Sequence, residues 1–319
     1  MVNRSPGCSN SGAHQNKDSY LKALADRLVT GAGSPQDWGA TGTVPSDLGF
    51  AAASGNVYVL DPDKISRLNS HNAASLTYLD LVNSSKLTDI ALGISVFQLM
   101  DVDVVQVSNQ TVGDQTEFSF QFSTEIDSKP IDAELHCYVI SQDYFYSFNA
   151  STSSSGTGDL SVQIPTDKVT DALMVAFART PLDERLTSFT VYNFLSSTTE
   201  TTPSNTQLSL SPLDQELSFN SSEGTVTEVY CLSYNYNQSV TSIGASNCTI
   251  PVMVDASPRV LFACGFYFGN YFEVWTAYPQ VPLTAGSAFT SSERNIFTYT
   301  VEIDGVLYRL QFSLGAINH

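Results

Sequence analysis

The stretch Glu117-Phe118-Ser119-Phe120-Gln121-Phe122-Ser123-Thr124-Glu125-Ile126 decides the fold class. Its three phenylalanines recur at every second residue, with Ser119, Gln121 and Ser123 in the gaps. Residues two apart share a face only on an extended chain, so the stretch predicts a half-buried strand. The same period spreads to both sides of it. Upstream, Ile94, Val96 and Met100 begin a strand that Val102 and Val104 continue, with Asp101 and Asp103 on the opposite face. Val105 and Val107 then shift the phase, which predicts a bulge or a second buried face. Downstream, Leu135, Cys137 and Val139 are in phase over 131–140, and 144–148 reads as the next strand. Residues 152–158 read as a turn. Leu160, Val162 and Ile164 then mark a fifth strand, and 172–178 and 189–195 complete the run.

About seven short strands separated by turn signals form the pattern of an immunoglobulin-like sandwich. Residues 196–206, Ser-Ser-Thr-Thr-Glu-Thr-Thr-Pro-Ser-Asn-Thr, have no apolar side chain to bury and read as a linker. Beyond it, 208–210, 217–219, 226–232, 250–254, 260–268, 272–278, 296–303 and 306–314 read as strands of a second sandwich. Asp304-Gly305 joins the last two in a hairpin.

Before the strands lies a different period. In 19–29 the residues Leu21, Leu24, Ala25 and Leu28 fall at i, i+3, i+4 and i+7, one apolar stripe on a helix. Asp18 or Ser19 suits its start, Gly31 and Gly33 a left-handed end, and Pro35 forbids resumption. Asp61-Pro62 reads as the cap and first residue of a second helix, and 75–89 as a third. The expected fold is therefore mainly β, a short N-terminal helical region (1–92) followed by two Ig-like antiparallel sandwiches (93–196 and 207–319).

The 319 residues are 42% hydrophobic, enough for real cores, yet only 14% charged, so Ser, Thr, Asn and Gln must cover much of the surface. Such a composition suits an extracellular, cell-surface protein. A net charge of −18 opposes nucleic acid and anionic lipid. Five cysteines and four histidines show no metal-ligand spacing, and no metal or cofactor is expected. Cys231 and Cys248, flanking a Tyr/Asn/Ser-rich loop, are the candidates for a disulfide, against buried thiols as the alternative. No run of 18 apolar residues is present, and residues 1–7 lack the apolar core of a signal peptide. That leaves an intracellular chain, or the outer part of a protein whose leader or anchor has been removed. Glycosylation sequons occur at Asn83, Asn109, Asn149, Asn220, Asn237 and Asn247.

Three segments carry a resemblance: Leu28-Val-Thr-Gly-Ala-Gly-Ser-Pro-Gln-Asp-Trp-Gly39, Leu48-Gly-Phe50 and Leu60-Asp-Pro-Asp-Lys-Ile-Ser-Arg-Leu68. Their order is similar to the outer portions of archaeal pilin-like and flagellin-like envelope proteins. The resemblance implies β domains outside the cell and a helix that continues backwards into a hydrophobic assembly segment. It also implies other envelope or filament subunits as partners, with Leu21, Leu24, Ala25 and Leu28 as an assembly face or a face docked on the β part. Residues 1–17 are polar where that family has its hydrophobic helix.

Catalytic constellations are poorly represented. There is no Gly-x-Ser-x-Gly elbow, and His136 and Cys137 are strand neighbours that point to opposite faces. Acids for glycoside hydrolysis would have to come from Glu134, Asp143, Glu273 and Glu302, with nothing to choose among them. The aromatic run 264–275 offers Tyr267, Tyr271 and Trp275 as a surface for a glycan or a protein partner, against the plainer reading of core strands. The expected function is a non-enzymatic structural or adhesive surface protein; the alternatives are a carbohydrate- or partner-binding module and, behind it, an extracellular hydrolase.

Overall fold

The computed structural model describes residues 11–87, 90–141, 144–168, 172–194, 208–211, 216–219, 224–239, 247–249, 255–267, 270–287 and 294–316, by backbone alone at 11–16, 208–211, 216–219, 224–225, 247–249, 266–267, 270–273 and 316. The elements are α1 (Ser11–Thr30), α2 (Trp38–Thr41), β1 (Val59–Leu60), α3 (Pro62–Ser66), α4 (Tyr78–Ser85), β2 (Ile90–Gln98), β3 (Asp101–Val112) and β4 (Gln115–Ile126). They continue with β5 (Lys129–Pro130), β6 (Ala133–Ser141), β7 (Tyr144–Thr152), β8 (Thr157–Pro165), β9 (Ala172–Arg179) and β10 (Thr187–Phe194). Then come β11 (Leu208–Ser211), β12 (Glu216–Phe219), β13 (Gly224–Leu232), β14 (Asn237–Ser239) and β15 (Asn247–Thr249). The last are β16 (Arg259–Tyr267), β17 (Asn270–Tyr278), β18 (Leu283–Gly286), β19 (Arg294–Ile303) and β20 (Val306–Ala316). The chain is mainly β behind a short helical start, as its periods predict.

The phenylalanine trio sits where its spacing puts it. Phe118, Phe120 and Phe122 of β4 are buried, and their sheet runs β3, β4, β8, with the two-residue β5 beside the end of β4. This sheet faces a second one, ordered β10, β9, β6, β7, and the two share a core with Leu135, Cys137, Val139, Met174 and Phe194. The phase shift in β3 is a bulge: its pairing with β4 slips between Gln106 and Ser108.

The second sheet is buried on both faces. Tyr138, Ile140, Leu173, Val175 and Phe177 point away from the first core into another, closed by Leu232, Val260, Phe262 and Ala277 from a sheet ordered β14, β13, β16, β17. Three β layers are thus stacked. The middle layer accounts for the unbroken apolar run Ala172-Leu-Met-Val-Ala-Phe-Ala178, every residue of which is buried; a strand covered on both sides has no polar face to alternate with. Strands β11, β12 and β15 form a separate small sheet, the stretch 250–254 lies outside the described residues, and so does the Ser/Thr-rich stretch 196–206.

The helices lie against a five-stranded sheet ordered β1, β19, β20, β2, β18, which closes the two ends of the chain on one another. Here the strand-by-strand expectation needs correction. Residues 94–104 do not form one strand: the chain bends at Leu99 and Met100, so β2 and β3 enter different sheets. Periodicity registers which face is buried but not a bend between two equally alternating runs. Likewise the Asp304-Gly305 hairpin forms as read, both residues having positive φ (51° and 79°) and β19 pairing with β20, yet the outer partners of this hairpin are β1 and β2 from the start of the chain and not β11–β17.

Helix α1 begins at Ser11, earlier than its capping residues suggest. Leu21, Leu24, Ala25 and Leu28 are between 0 and 8% exposed and pack on Phe312, Leu314 and Val301 in the helix–sheet core. The expected assembly face is therefore taken up inside this chain, because the β19–β20 sheet has one apolar side and α1 is what covers it. Asp61 caps α3 as read, its carboxylate accepting from the Asp63 and Lys64 amides (3.0 and 3.1 Å), with Pro62 in the first turn. Helix α4 carries a reciprocal capping box between Thr77 and Asp80.

Candidate functional site

The aromatic surface read from the sequence can be placed at one of its three residues. Trp275, on β17, is 41% exposed and meets Phe189 of β10 edge to face, ring centres 6.1 Å apart at 87°. Phe189 is held from behind by Gln98 at the end of β2, which donates to its carbonyl (2.9 Å) and accepts from its amide (2.6 Å). A half-open indole on a fixed ring is a suitable contact surface for a sugar or a protein side chain. The side chains of Tyr267 and Tyr271 lie outside the described residues.

From Phe189 a line of rings runs inward between the middle and third layers. Phe177, Tyr138, Phe145 and Tyr230 follow one another at 6.1, 6.0, 5.9 and 4.7 Å. His136 stacks on Tyr138 at 4.7 Å and donates from Nδ1 to the Tyr234 carbonyl (2.6 Å); burial, working against that hydrogen bond, holds its pKa below 6.5. Arg179 of β9 crosses the same seam, donating to Asp255 (3.1 Å) and to the Ala256 carbonyl (2.8 Å) beneath the Tyr234 ring.

A second polar cluster locks the helical start onto the end of β17. Lys64 and Arg67, both essentially unexposed, are satisfied by carbonyl groups instead of carboxylates. Lys64 Nζ donates to Ala32 and Ala51 (2.9 and 2.8 Å), and Arg67 to Ala74, Thr43, Gly42 and Trp38. Both cations lie over the buried Trp38 ring. Asp63 accepts from Tyr278 Oη (2.8 Å), Asn72 donates to Gln280 Oε1 (2.8 Å), and Arg259, stacked on Tyr278, pairs with Asp304 of the last hairpin. Desolvation raises the Asp63 pKa despite the Tyr278 hydrogen bond. The arrangement fastens elements together; its groups are already hydrogen-bonded to one another.

No family model matches the chain, and no curated protein matches it. Among solved structures it is similar to HBP35 of Porphyromonas gingivalis, at 12% identity and a TM-score of 0.22, over 56% of this chain and 63% of that one. The chain thus spans less than two thirds of that protein's length. A likeness so slight carries no argument about fold or function. The resemblance to archaeal pilin-like proteins accordingly stands on its three segments alone.

Those segments nevertheless meet in space. Trp38 from the first, Gly49 and Phe50 from the second and Lys64 and Arg67 from the third build the buried cluster, with Trp38 Nε1 donating to the Gly49 carbonyl (3.1 Å). Sequence reading saw the capping by Asp61 but not the burial of Lys64 and Arg67; with only 14 Lys and Arg residues in the chain, one inside a short helix and another at its C-cap, beside Ile65 and Leu68, were the available signal.

The other sequence candidates are dispersed. Glu134 accepts from Tyr234 Oη (3.2 Å), and Glu302 lies 3.7 Å from Arg185; they stand on different sheets, while Asp143 and the Glu273 side chain fall outside the described residues. Among the described residues no group of His, Cys, Asp and Glu could hold a metal ion, and no helix is long and apolar enough to cross a membrane. Cys231 is buried on β13, its thiol pushed up to about 12 by burial, and Cys248 is on β15 of another sheet with its side chain outside the described residues, as is the proposed pairing of the two. The sequon residues Asn83, Asn109, Asn149 and Asn237 are exposed, whereas Asn220 and the Asn247 side chain are outside the described residues.

Proposed function

We propose that the chain is an extracellular structural or adhesive protein of a cell surface, without catalytic activity and without a cofactor. The observation that carries this reading is the stack of three β layers, whose inward aromatics and Arg179–Asp255 pair fasten layers together while many of its outward side chains are Ser, Thr, Asn and Gln. The first two layers, with β3, β4 and β8 opposite β6, β7, β9 and β10, support an Ig-like reading of residues 101–194. The pilin-like reading, with other envelope or filament subunits as partners, is supported by the three sequence segments. Exposed sequons fit a glycosylated outer surface.

The deciding experiment is the intact mass, N-terminal sequence and cell fraction of the native protein. Recovery from the envelope with glycan mass added is the expected result. An unmodified protein confined to the soluble cytosol would overturn the reading.

A second reading is favoured by Trp275, whose exposure on a fixed support suits binding of surface glycans or a protein partner. Glycan-array binding that is saturable and lost in Trp275→Ala is its expected signature; equal binding by the variant would refute it.

A further inference from the structure

We propose that the outer edge of β7 is a self-association site, at which a second copy of the chain adds its own β7 antiparallel to the first. This goes beyond the surface-protein reading and does not rest on it, since it concerns the purified chain wherever it resides.

Strand β7 is the last of its sheet, paired with β6 alone among the described residues. At the opposite end of the sandwich β10 lies beside β3, with the Gln106 amide donating to Tyr192 Oη (3.4 Å); at this end β8 of the facing layer lies beside β7, its Gly158 backbone close to Ser151, without adding a strand to the ladder. Sheet edges of soluble proteins are ordinarily blunted by charge, proline, a bulge or a covering element. Tyr144-Phe-Tyr-Ser-Phe-Asn-Ala-Ser-Thr152 contains no charged residue, no proline and no glycine, and its pairing with β6 runs through without a register shift. The adjoining β8, by contrast, carries Gly158, Asp159 and Pro165.

The strand is also stiffly held. On one face Phe145 stacks on Tyr230 at 4.7 Å and 17°; on the other Tyr144, Tyr146 and Phe148 form a row, Tyr144 with Tyr146 at 6.3 Å and Tyr146 with Phe148 at 5.0 Å. Tyr144 Oη reaches across to the Gln163 carbonyl of β8 (3.2 Å), so the row spans the gap between the layers. Tyr146, in the middle, is 56% exposed. A pre-formed extended backbone whose flanking rings are held half-buried, with Tyr146 exposed among them, is a template for strand addition, with the main chain giving affinity and the rings giving register.

Charge and symmetry select the occupant. On a chain of net charge −18 the strand is a neutral strip, so it offers nothing to fix a basic partner and sets no like charges directly opposite one another when two copies meet. Its best match is an uncharged aromatic strand of similar length, which is β7 itself. Antiparallel pairing about a two-fold axis covers both edges at once and closes the assembly.

The test is sedimentation equilibrium of the full chain made without glycosylation, so that no sugar on Asn149 stands over the edge, across protein and salt concentrations. The expected result is a reversible dimer that tightens with added salt, because screening relieves the repulsion between two acidic chains while the neutral edge is unaffected. Ser147→Lys sets like charges near the axis and weakens dimerisation by roughly tenfold or more; Asn149→Lys does the same and serves if the first variant folds poorly. Val105→Lys, at a similarly exposed position on β3, leaves the dimer unchanged. A chain monomeric at every concentration, or a dimer indifferent to both β7 variants or equally sensitive to Val105→Lys, would overturn the proposal.

Discussion

At Gly49 a β-carbon would stand 2.4 Å from the Gly31 carbonyl oxygen and 2.6 Å from the Gly33 amide nitrogen. Both obstacles are backbone, held by the turn that ends α1 and by the buried Trp38, so neither can swing aside. Gly49→Ala is expected to lower stability by about 2–3 kcal/mol. Gly55→Ala meets no atom within 4 Å and bears only the strain of a positive φ, about 1 kcal/mol. Denaturant midpoints of the two variants at unchanged slope would measure the difference. His136 gives a second test at this scale. Burial holds its pKa below 6.5, so as the pH falls through 6.5 the unfolded chain takes up a proton before the folded chain does. Stability from this residue is therefore complete above 6.5 and is lost as the pH drops towards the depressed value. Melting temperatures followed from neutral to mildly acidic pH should show a slope that His136→Gln flattens.

The elements divide into those readable from neighbouring residues and those that depend on distant ones. Asp61 before Pro62 named the start of α3, the Val105–Val107 phase shift marked the place of a bulge while leaving a second buried face open, Asp304-Gly305 named a hairpin, and the phenylalanine trio named the buried face of β4. Each is a local rule acting within a few residues. The partner of a strand is set by nothing local: β2 alternates as β3 does, and only the bend at Leu99 and Met100 sends them to different sheets. The candidate site was legible to the same extent. Trp275 was read as an aromatic that could face outward, but the Phe189 ring beneath it and the Gln98 clamp come from strands far away in the chain. Helix α1 belongs to both groups, for its stripe is plain in the sequence while what it covers is not. Leu28, fully buried against the sheet, tests that packing: Leu28→Ala should cost about 3 kcal/mol through lost burial and the cavity left behind. Calorimetry would show a lowered melting temperature, and an unchanged one would mean that the helix is not docked.

For the whole molecule, the pairing of β2 with β20 makes the two ends of the chain one structure. The helical start has its own caps and turns but not its own core, since the apolar side it needs is supplied by Val301, Ile303, Leu310, Phe312 and Leu314. A fragment ending at Gln98 is therefore expected to be largely unfolded by circular dichroism and amide dispersion. Mixing it with the complementary fragment 99–319 should restore structure. Independent folding of the short fragment would contradict the shared core.

That shared sheet sets an order in time. On the ribosome, residues 11–98 emerge long before β19 and β20, and at about 20 residues per second the wait is on the order of 10 s. Throughout it the apolar side of α1 and the edges of β2 are uncovered, so the earliest part of the chain to be made is among the last to be finished. Contacts spanning nearly the full sequence also slow the search once synthesis ends. The chain should therefore dwell in an incomplete state for which holding factors compete, and its yield in a cell should respond to them more strongly than its final stability would suggest.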